Sequence, residues 1–149
     1  MDCKFTIVVA EDDANDRKLL HLALQRNLKP VEIHELTDGI ETVEYLKGEG
    51  RFKDRIKFPL PDLLIVDLKM PRMDGLQVID WVRKEPQLAR LPIVMLSGSG
   101  LDQDVAEAYR LGVNSYIRKP EDFNDFVHKL GVLIDYWMMT ESPNTDRIR

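Results

Sequence analysis

Short, almost wholly apolar runs alternate along this chain with segments of helical periodicity, and this alternation constrains the fold more than any other feature. The runs are short and rich in β-branched residues, as is typical of strands covered on both faces. Each run is followed by apolar residues at helical spacing. The predicted strands are 5–10, 31–36, 63–66, 93–96 and 115–118.

Strands that alternate with helices predict a parallel sheet with right-handed crossovers. We expect a flavodoxin-like, doubly wound α/β fold, with five strands in the order 2-1-3-4-5 and five helices. Cap residues fix the predicted helix ends: Asp13 or Asn15 begins the first helix and Gly48 ends the second. Asp102 is expected to cap the fourth helix, Gly112 to end it, and Lys119-Pro120 to open the fifth.

The 149 residues suit a single domain, with a core at about 4–139 and a flexible C-terminal tail at 140–149. A net charge of −5 argues against direct binding of nucleic acid. We expect a cytoplasmic protein without membrane association, since neither a signal peptide nor an apolar stretch of spanning length is visible. Cys3, the only cysteine, excludes an intrachain disulfide and is interpreted as a small apolar residue.

Three acids directly follow two of the predicted strands. Glu11 and Asp12 come after the first strand, and Asp67 comes after the third. In the predicted strand order they meet at one edge of the sheet, where ligand sites of such sheets lie. Crowded carboxylates require a cation or raised pKa values, and oxygen ligands suit Mg²⁺. Helix capping is the alternative interpretation, and we prefer it for Asp13 and Asp74.

Ser97 and Lys119 follow the fourth and fifth strands and add a hydroxyl and an ammonium to the same edge. Taken alone, each residue would be an ordinary helix cap or a solvated surface side chain. Beside an acid and a cation they fit a bound anion. A carboxylate in these surroundings is suited to accept a phosphoryl group, because positive charge neutralises the phosphoryl oxygens.

At this point the sequence resembles the receiver domains of two-component response regulators. Four motifs spread over nearly the whole chain carry the resemblance, in matching order and strand context. They are Glu11-Asp12, DLKMPRMDG from Asp67, LPIVMLSG ending in Ser97-Gly98, and YIRKP ending in Lys119-Pro120.

The resemblance implies a role for each matching residue. Asp67 would be phosphorylated by a histidine kinase, while Asp12, Asp67 and the carbonyl of Lys69 would bind Mg²⁺ and Glu11 would assist through water. Ser97 and Lys119 would contact the phosphoryl group, and Ser97 and Tyr116 would form the conformational switch. The Lys119-Pro120 peptide bond would be cis, a form essentially confined to bonds before proline.

Within the family, the sequence is most like the small response regulators that partner cyanobacterial phytochromes. The features are YLKGEG at 45–50, a long connection before the third strand, and DYWMM at 135–139. The resemblance implies a stand-alone signalling module that catalyses only its own phosphorylation and dephosphorylation. The resemblance also implies a phytochrome-type histidine kinase as partner, and an output through protein contacts to a target that the sequence does not identify.

The last predicted helix carries two apolar stripes. One stripe, which includes Phe123 and Leu130, is expected to face the sheet. The second either packs beneath the neighbouring helix or forms a symmetric homodimer, and we favour the dimer because aromatic residues and methionine are enriched at interfaces. The expected dimer surface comprises Val127, Ile134, Tyr136, Trp137 and Met138.

Two other functions compete with the phosphoacceptor switch. The first is a Mg²⁺-dependent phosphatase or phosphotransferase with Asp67 as nucleophile, but such enzymes usually have an acid where Lys69 stands. The second is a dinucleotide-binding domain, which needs glycine in the first turn between strand and helix. That turn, AEDDAND, contains no glycine and would repel a pyrophosphate.

Overall fold

The fold is a single five-stranded parallel sheet with helices on both faces. A computed structural model describes residues 5–27 and 30–141, so the interpretations of Cys3 and of the tail beyond residue 141 lie outside the described residues. The strand order is the predicted 2-1-3-4-5. The strands are β1 (Phe5–Ala10), β2 (Val31–Leu36), β3 (Leu63–Val66), β4 (Ile93–Ser97) and β5 (Ser115–Arg118).

One helix follows each strand, which confirms the five predicted helices. A single 3₁₀ turn, Gly50–Phe52, lies between the second helix and β3. Within the described ranges, no helix combines the length and the apolar character needed to cross a membrane. The helices are α1 (Ala14–Arg26), α2 (Gly39–Lys47), α3 (Gly75–Lys84), α4 (Asp102–Leu111) and α5 (Phe123–Met139).

Several helix ends follow the predicted cap residues. Asp13 caps α1 by accepting a hydrogen bond from the Asp16 amide. Asp74 forms a reciprocal capping box with Gln77 at the start of α3. Gly48 and Gly112 end α2 and α4 in the left-handed conformation, with φ of 73° and 111°. Glycine suits these positions because it adopts positive φ without steric cost.

Two predicted helix starts are wrong. Leu101, and not Asp102, occupies the N-cap of α4, and no side chain caps that end. The helix α5 begins only at Phe123, after Asp122 accepts a hydrogen bond from the Asp125 amide. Lys119 and Pro120 therefore precede the helix in a connecting loop, because the first side chain able to cap the helix comes two residues after the proline.

The pleat of the strands divides the core into two layers. Alternate residues point to opposite faces of each strand, so each central strand supplies both layers. Ile7, Val9 and Ile65 pack with α1 and α5 on one face of the sheet. Val8 and Val66 pack with α2, α3 and α4 on the other face.

The predicted dimer surface on α5 is wrong at Ile134. This residue is fully buried in the layer that α5 shares with α1. Its position follows from the helical repeat: it lies one turn after Leu130 on a single broad face that packs against the sheet. Val127, Trp137 and Met138 are partly buried against the same layer. The exposed apolar residues of this helix are Val132, Tyr136 and Met139.

Candidate functional site

The register of β1 and β3 brings the first acids to the same level. Ala10 pairs with Val66, so that Glu11 and Asp67 leave their strands side by side. The Asp67 amide donates to the Ala10 carbonyl at 3.0 Å, which extends the pairing beyond the last strand residue. The backbone therefore fixes both acids at the carboxyl edge of the sheet, where parallel sheets hold their ligands.

Glu11, Asp12 and Asp67 form a compact acidic cluster. Each offers a carboxylate oxygen within 4.8 Å of the other two. Glu11 is only 3% exposed, Asp67 is largely buried, and Asp12 is open to solvent. The structure therefore brings together the three acids that the sequence predicted to converge, at a site open on the Asp12 side.

Lys119 places its ammonium inside this cluster. It donates hydrogen bonds to Glu11 at 2.9 Å and to Asp67 at 3.1 Å. A third bond, also of 2.9 Å, goes to Asp16 in the first turn of α1. The Lys119 amide donates to the Ser97 carbonyl at 2.8 Å, which aligns the lysine with the end of β4.

Asp16 is a site residue that the sequence analysis missed. Its position three residues after the cap Asp13 is the available signal. Acids are common in the first turn of a helix because they complement the helix dipole, so the pattern alone does not mark a site. Asp16 reaches the site only because the first turn of α1 lies beside the loop between β5 and α5 that carries Lys119.

Burial and charge together set the protonation of the site. Burial raises the pKa of Glu11 to about 7, and the neighbouring Asp67 adds to the rise while Lys119 opposes it. Burial alone would lower the pKa of Lys119, but its hydrogen bonds to Glu11 and Asp16 and the charge of Asp67 raise it above the usual value. The lysine is therefore a fixed positive charge, and Glu11 titrates near neutrality.

The donor set fits a hard divalent cation. The three acids supply carboxylate oxygens, and the exposed Asp12 leaves one side accessible to water. Mg²⁺ prefers oxygen ligands and usually keeps several waters beside one or two carboxylates. The exposed Lys69 lies two residues after Asp67 in the loop between β3 and α3, where its carbonyl could complete such a set.

Ser97 and Tyr116 lie on neighbouring strands beside the acids. Ser97 is 2% exposed at the end of β4, and its hydroxyl accepts a hydrogen bond from the Ser99 amide at 3.1 Å. Tyr116 packs against the layer beneath α2, α3 and α4, and its hydroxyl donates to the Ser99 carbonyl at 2.8 Å. Both side chains thus contact the loop between β4 and α4.

The predicted cis bond before Pro120 is wrong. The Lys119-Pro120 peptide bond is trans, the form that bonds before proline favour by about 0.5–1 kcal/mol. With the trans bond, Lys119 makes its backbone bond to β4 and all three carboxylate contacts.

This chain belongs to the response regulator receiver domain family, whose model matches residues 7–131. Phosphorylation of an aspartate is general in this family. The match confirms the family that the four sequence motifs indicated, and the observed strand order confirms the predicted fold.

Similar proteins include response regulators, one of which is described as a cyanobacterial phytochrome response regulator. The response regulator Rcp1 of Synechocystis sp. (strain ATCC 27184 / PCC 6803 / Kazusa) is 29% identical over 134 residues, which cover 90% of this chain and 89% of Rcp1. The structure of the phosphorylated cyanobacterial phytochrome response regulator RcpA is 30% identical in sequence and has a TM-score of 0.87. The match covers 95% of this chain and 99% of RcpA. The structure of the Mn²⁺-bound form of Rcp1 has a TM-score of 0.82 at 29% identity, and the match covers 93% of this chain and 97% of Rcp1.

The raised pKa of Glu11 predicts a pH-dependent stability of the metal-free protein. Between pH 4.5 and about 7, folding takes up a proton at Glu11, so the free energy of unfolding falls as the pH rises. The loss attributable to this group is on the order of 3 kcal/mol.

Urea unfolding in the presence of a chelator measures this effect. We expect Glu11→Gln to remove most of the decline across this pH range, because glutamine has no proton to take up. An unchanged decline in the Glu11→Gln variant would contradict the assignment of the titration to Glu11.

Proposed function

We propose that Asp67 is the phosphoacceptor of this receiver domain and that a histidine kinase supplies the phosphoryl group. The contact between Asp67 and the Lys119 ammonium, beside Glu11 and Asp12, carries the proposal. The chain would act as a signalling module and would transform no metabolite.

The transfer step uses Asp67 as the nucleophile. One carboxylate oxygen of Asp67 attacks phosphorus, the bond from phosphorus to the donor atom breaks, and an acyl phosphate forms. Phosphoryl transfer relies mainly on positioning and on neutralising charge. Lys119 serves both needs, since its ammonium already lies 3.1 Å from Asp67 and stays charged in its buried setting.

We assign the metal site to Asp12, Asp67 and the carbonyl of Lys69, with Glu11 acting through water. A bound Mg²⁺ would neutralise charge on the phosphoryl oxygens and orient them toward Asp67. The buried Glu11 would release its proton when a cation binds, because a nearby positive charge stabilises the carboxylate.

Ser97 and Tyr116 are proposed to report phosphorylation to the surface. The Ser97 hydroxyl would turn from the Ser99 amide to the phosphoryl group. The Tyr116 hydroxyl would then leave the Ser99 carbonyl as its ring moves inward. Because both residues bond to Ser99 now, one change at this loop would couple them.

A phytochrome-type kinase is the proposed phosphodonor. The similarity to RcpA, described as a phytochrome response regulator, supports this choice. The long connection between α2 and β3 is one of the sequence features on which the resemblance to phytochrome partners rests. It packs against the rest of the domain, since Phe52 inserts into the core and Arg55 donates to the carbonyls of Tyr45, Leu46 and Phe58.

We also propose that the chain forms a homodimer through α5. Val132, Tyr136 and Met139 are 57%, 55% and 78% exposed and follow one another at spacings of four and three residues. Residues at these spacings share one face of a helix. A two-fold axis would place this face against its copy and bury apolar groups that now meet water.

Phosphorylation by acetyl phosphate tests the acceptor. With Mg²⁺ present, we expect intact-protein mass spectrometry to detect one added phosphoryl group on the wild type and none on Asp67→Asn. Asp74→Asn is the matched control, because it makes the same chemical change at a helix cap where asparagine also functions. Equal phosphorylation of the wild type and Asp67→Asn would exclude Asp67.

Sedimentation velocity tests the dimer. We expect Tyr136→Glu to shift the protein toward monomer, because the substitution places a charge in the proposed apolar contact. Ile56→Glu is the control, since Ile56 is 94% exposed and far along the chain from α5. A wild type that sediments as a monomer across the concentration range, or a dimer that Tyr136→Glu leaves intact, would rule out this interface.

A further inference from the structure

Arg72 has an unusual backbone conformation in the loop between β3 and α3. With φ of 65°, it is the only non-glycine residue with positive φ among residues 5–27 and 30–141. Side chains with a Cβ atom disfavour this region, and such positions cluster at functional sites. Something in the surrounding structure must therefore hold Arg72 in this conformation.

The Arg72 side chain forms an ion pair with Asp38, at the start of α2. Its Oδ2 accepts hydrogen bonds from Arg72 Nη2 at 2.7 Å and from Nε at 3.1 Å. Its Oδ1 accepts from the Glu41 amide at 2.8 Å and caps the helix. Asp38 is only 8% exposed, and although burial opposes ionisation, the bonds from Glu41 and Arg72 hold its pKa below the usual value.

The loop touches α2 at a second point. A methyl group at Gly39 would overlap the carbonyl of Met73, so the first residue of α2 lies directly against the loop backbone. The loop is also closed on itself by a 2.8 Å bond from the Gly75 amide to the Leu68 carbonyl. The segment 68–75, which contains Lys69, is therefore fastened both to α3 and to α2.

The strand order relates the ion pair between Asp38 and Arg72 to the acidic cluster. Because β1 lies between β2 and β3, the strand that ends at Glu11 and Asp12 is flanked by the two strands whose loops carry Asp38 and Arg72. The ion pair joins the loop after β2 to the connection after β3, which begins with Asp67 of the acidic cluster. It also fixes the segment that contains Lys69, three residues before Arg72.

We propose that Asp38 and Arg72 form a clamp that positions the loop 68–75 for metal binding and thereby sets the Mg²⁺ affinity of the acidic cluster. Both are positioning residues, since neither belongs to the cluster. The inference rests on the proposed function only in taking the cluster as a Mg²⁺ site. Residues that orient metal ligands commonly change affinity by about 10-fold or more when replaced.

Calorimetric titration with Mg²⁺ alone provides the test. We use Arg72→Gly, which removes the guanidinium while glycine accepts the positive φ, and Asp38→Asn, which retains a good helix cap. The clamp predicts that both variants bind Mg²⁺ about 10-fold more weakly. Arg72→Lys should lie between them and the wild type, because lysine lacks the two-pronged geometry of arginine.

The two substitutions separate positioning from simple charge. If only long-range electrostatics mattered, removing the positive Arg72 would strengthen Mg²⁺ binding and removing the negative Asp38 would weaken it. The clamp instead predicts weakening by both. Arg51→Ala is the control, because it removes a different ion pair to α2, the one between Arg51 and Glu41. It should leave the Mg²⁺ affinity unchanged.

Hydrogen exchange without metal gives a second measurement. The backbone amides of residues 69, 70, 72 and 73 should exchange faster in Arg72→Gly and Asp38→Asn than in the wild type and Arg51→Ala. The clamp would be overturned if Arg72→Gly strengthened Mg²⁺ binding while Asp38→Asn weakened it. It would also be overturned if both variants showed the Mg²⁺ affinity and the hydrogen exchange of the wild type. A wild type without Mg²⁺ binding would overturn it together with the metal site, whereas phosphorylation of Asp67→Asn would remove the phosphoacceptor alone.

Discussion

The Lys119 ammonium is the interaction on which this site depends. It donates to carboxylates from three separate elements: Glu11 after β1, Asp16 in α1 and Asp67 after β3. Without it, these acids would lie together in a poorly solvated place with no positive partner, which is costly. Even with Lys119 the group contains more carboxylates than ammonium groups, and burial together with the neighbouring Asp67 raises the pKa of Glu11. In the proposed function, a bound cation would offset this crowding of carboxylates.

The sheet supplies the precision that this arrangement needs. Backbone pairing sets Glu11 level with Asp67 through the Ala10–Val66 register, and Lys119 is aligned with Ser97 in the same way. The pleat separates two tasks, since Lys119 reaches toward α1 while Tyr116 packs beneath α2, α3 and α4. In the proposed function, a reaction among the acids would thus be communicated through Ser99 to the opposite face of the sheet.

The sequence predicted what depends on local pattern. Strands read as apolar runs, Gly48 and Gly112 ended helices, and the acids after β1 and β3 converged because parallel strands share an edge. The sequence did not predict features that depend on how separate elements pack together. Asp16 and the bond between Asp38 and Arg72 depend on how α1 and α2 sit against neighbouring loops, and Ile134 was misplaced because two stripes on α5 form one wide buried face.

The most direct measurement is chemical trapping of the phosphorylated residue. Reduction of the phosphorylated protein with borohydride converts an acyl phosphate of aspartate to homoserine, which peptide mass spectrometry can locate in the sequence. We predict homoserine at position 67 and at no other carboxylate of the cluster. Homoserine at position 12, or phosphate retained on a histidine with Asp67 unmodified, would contradict it.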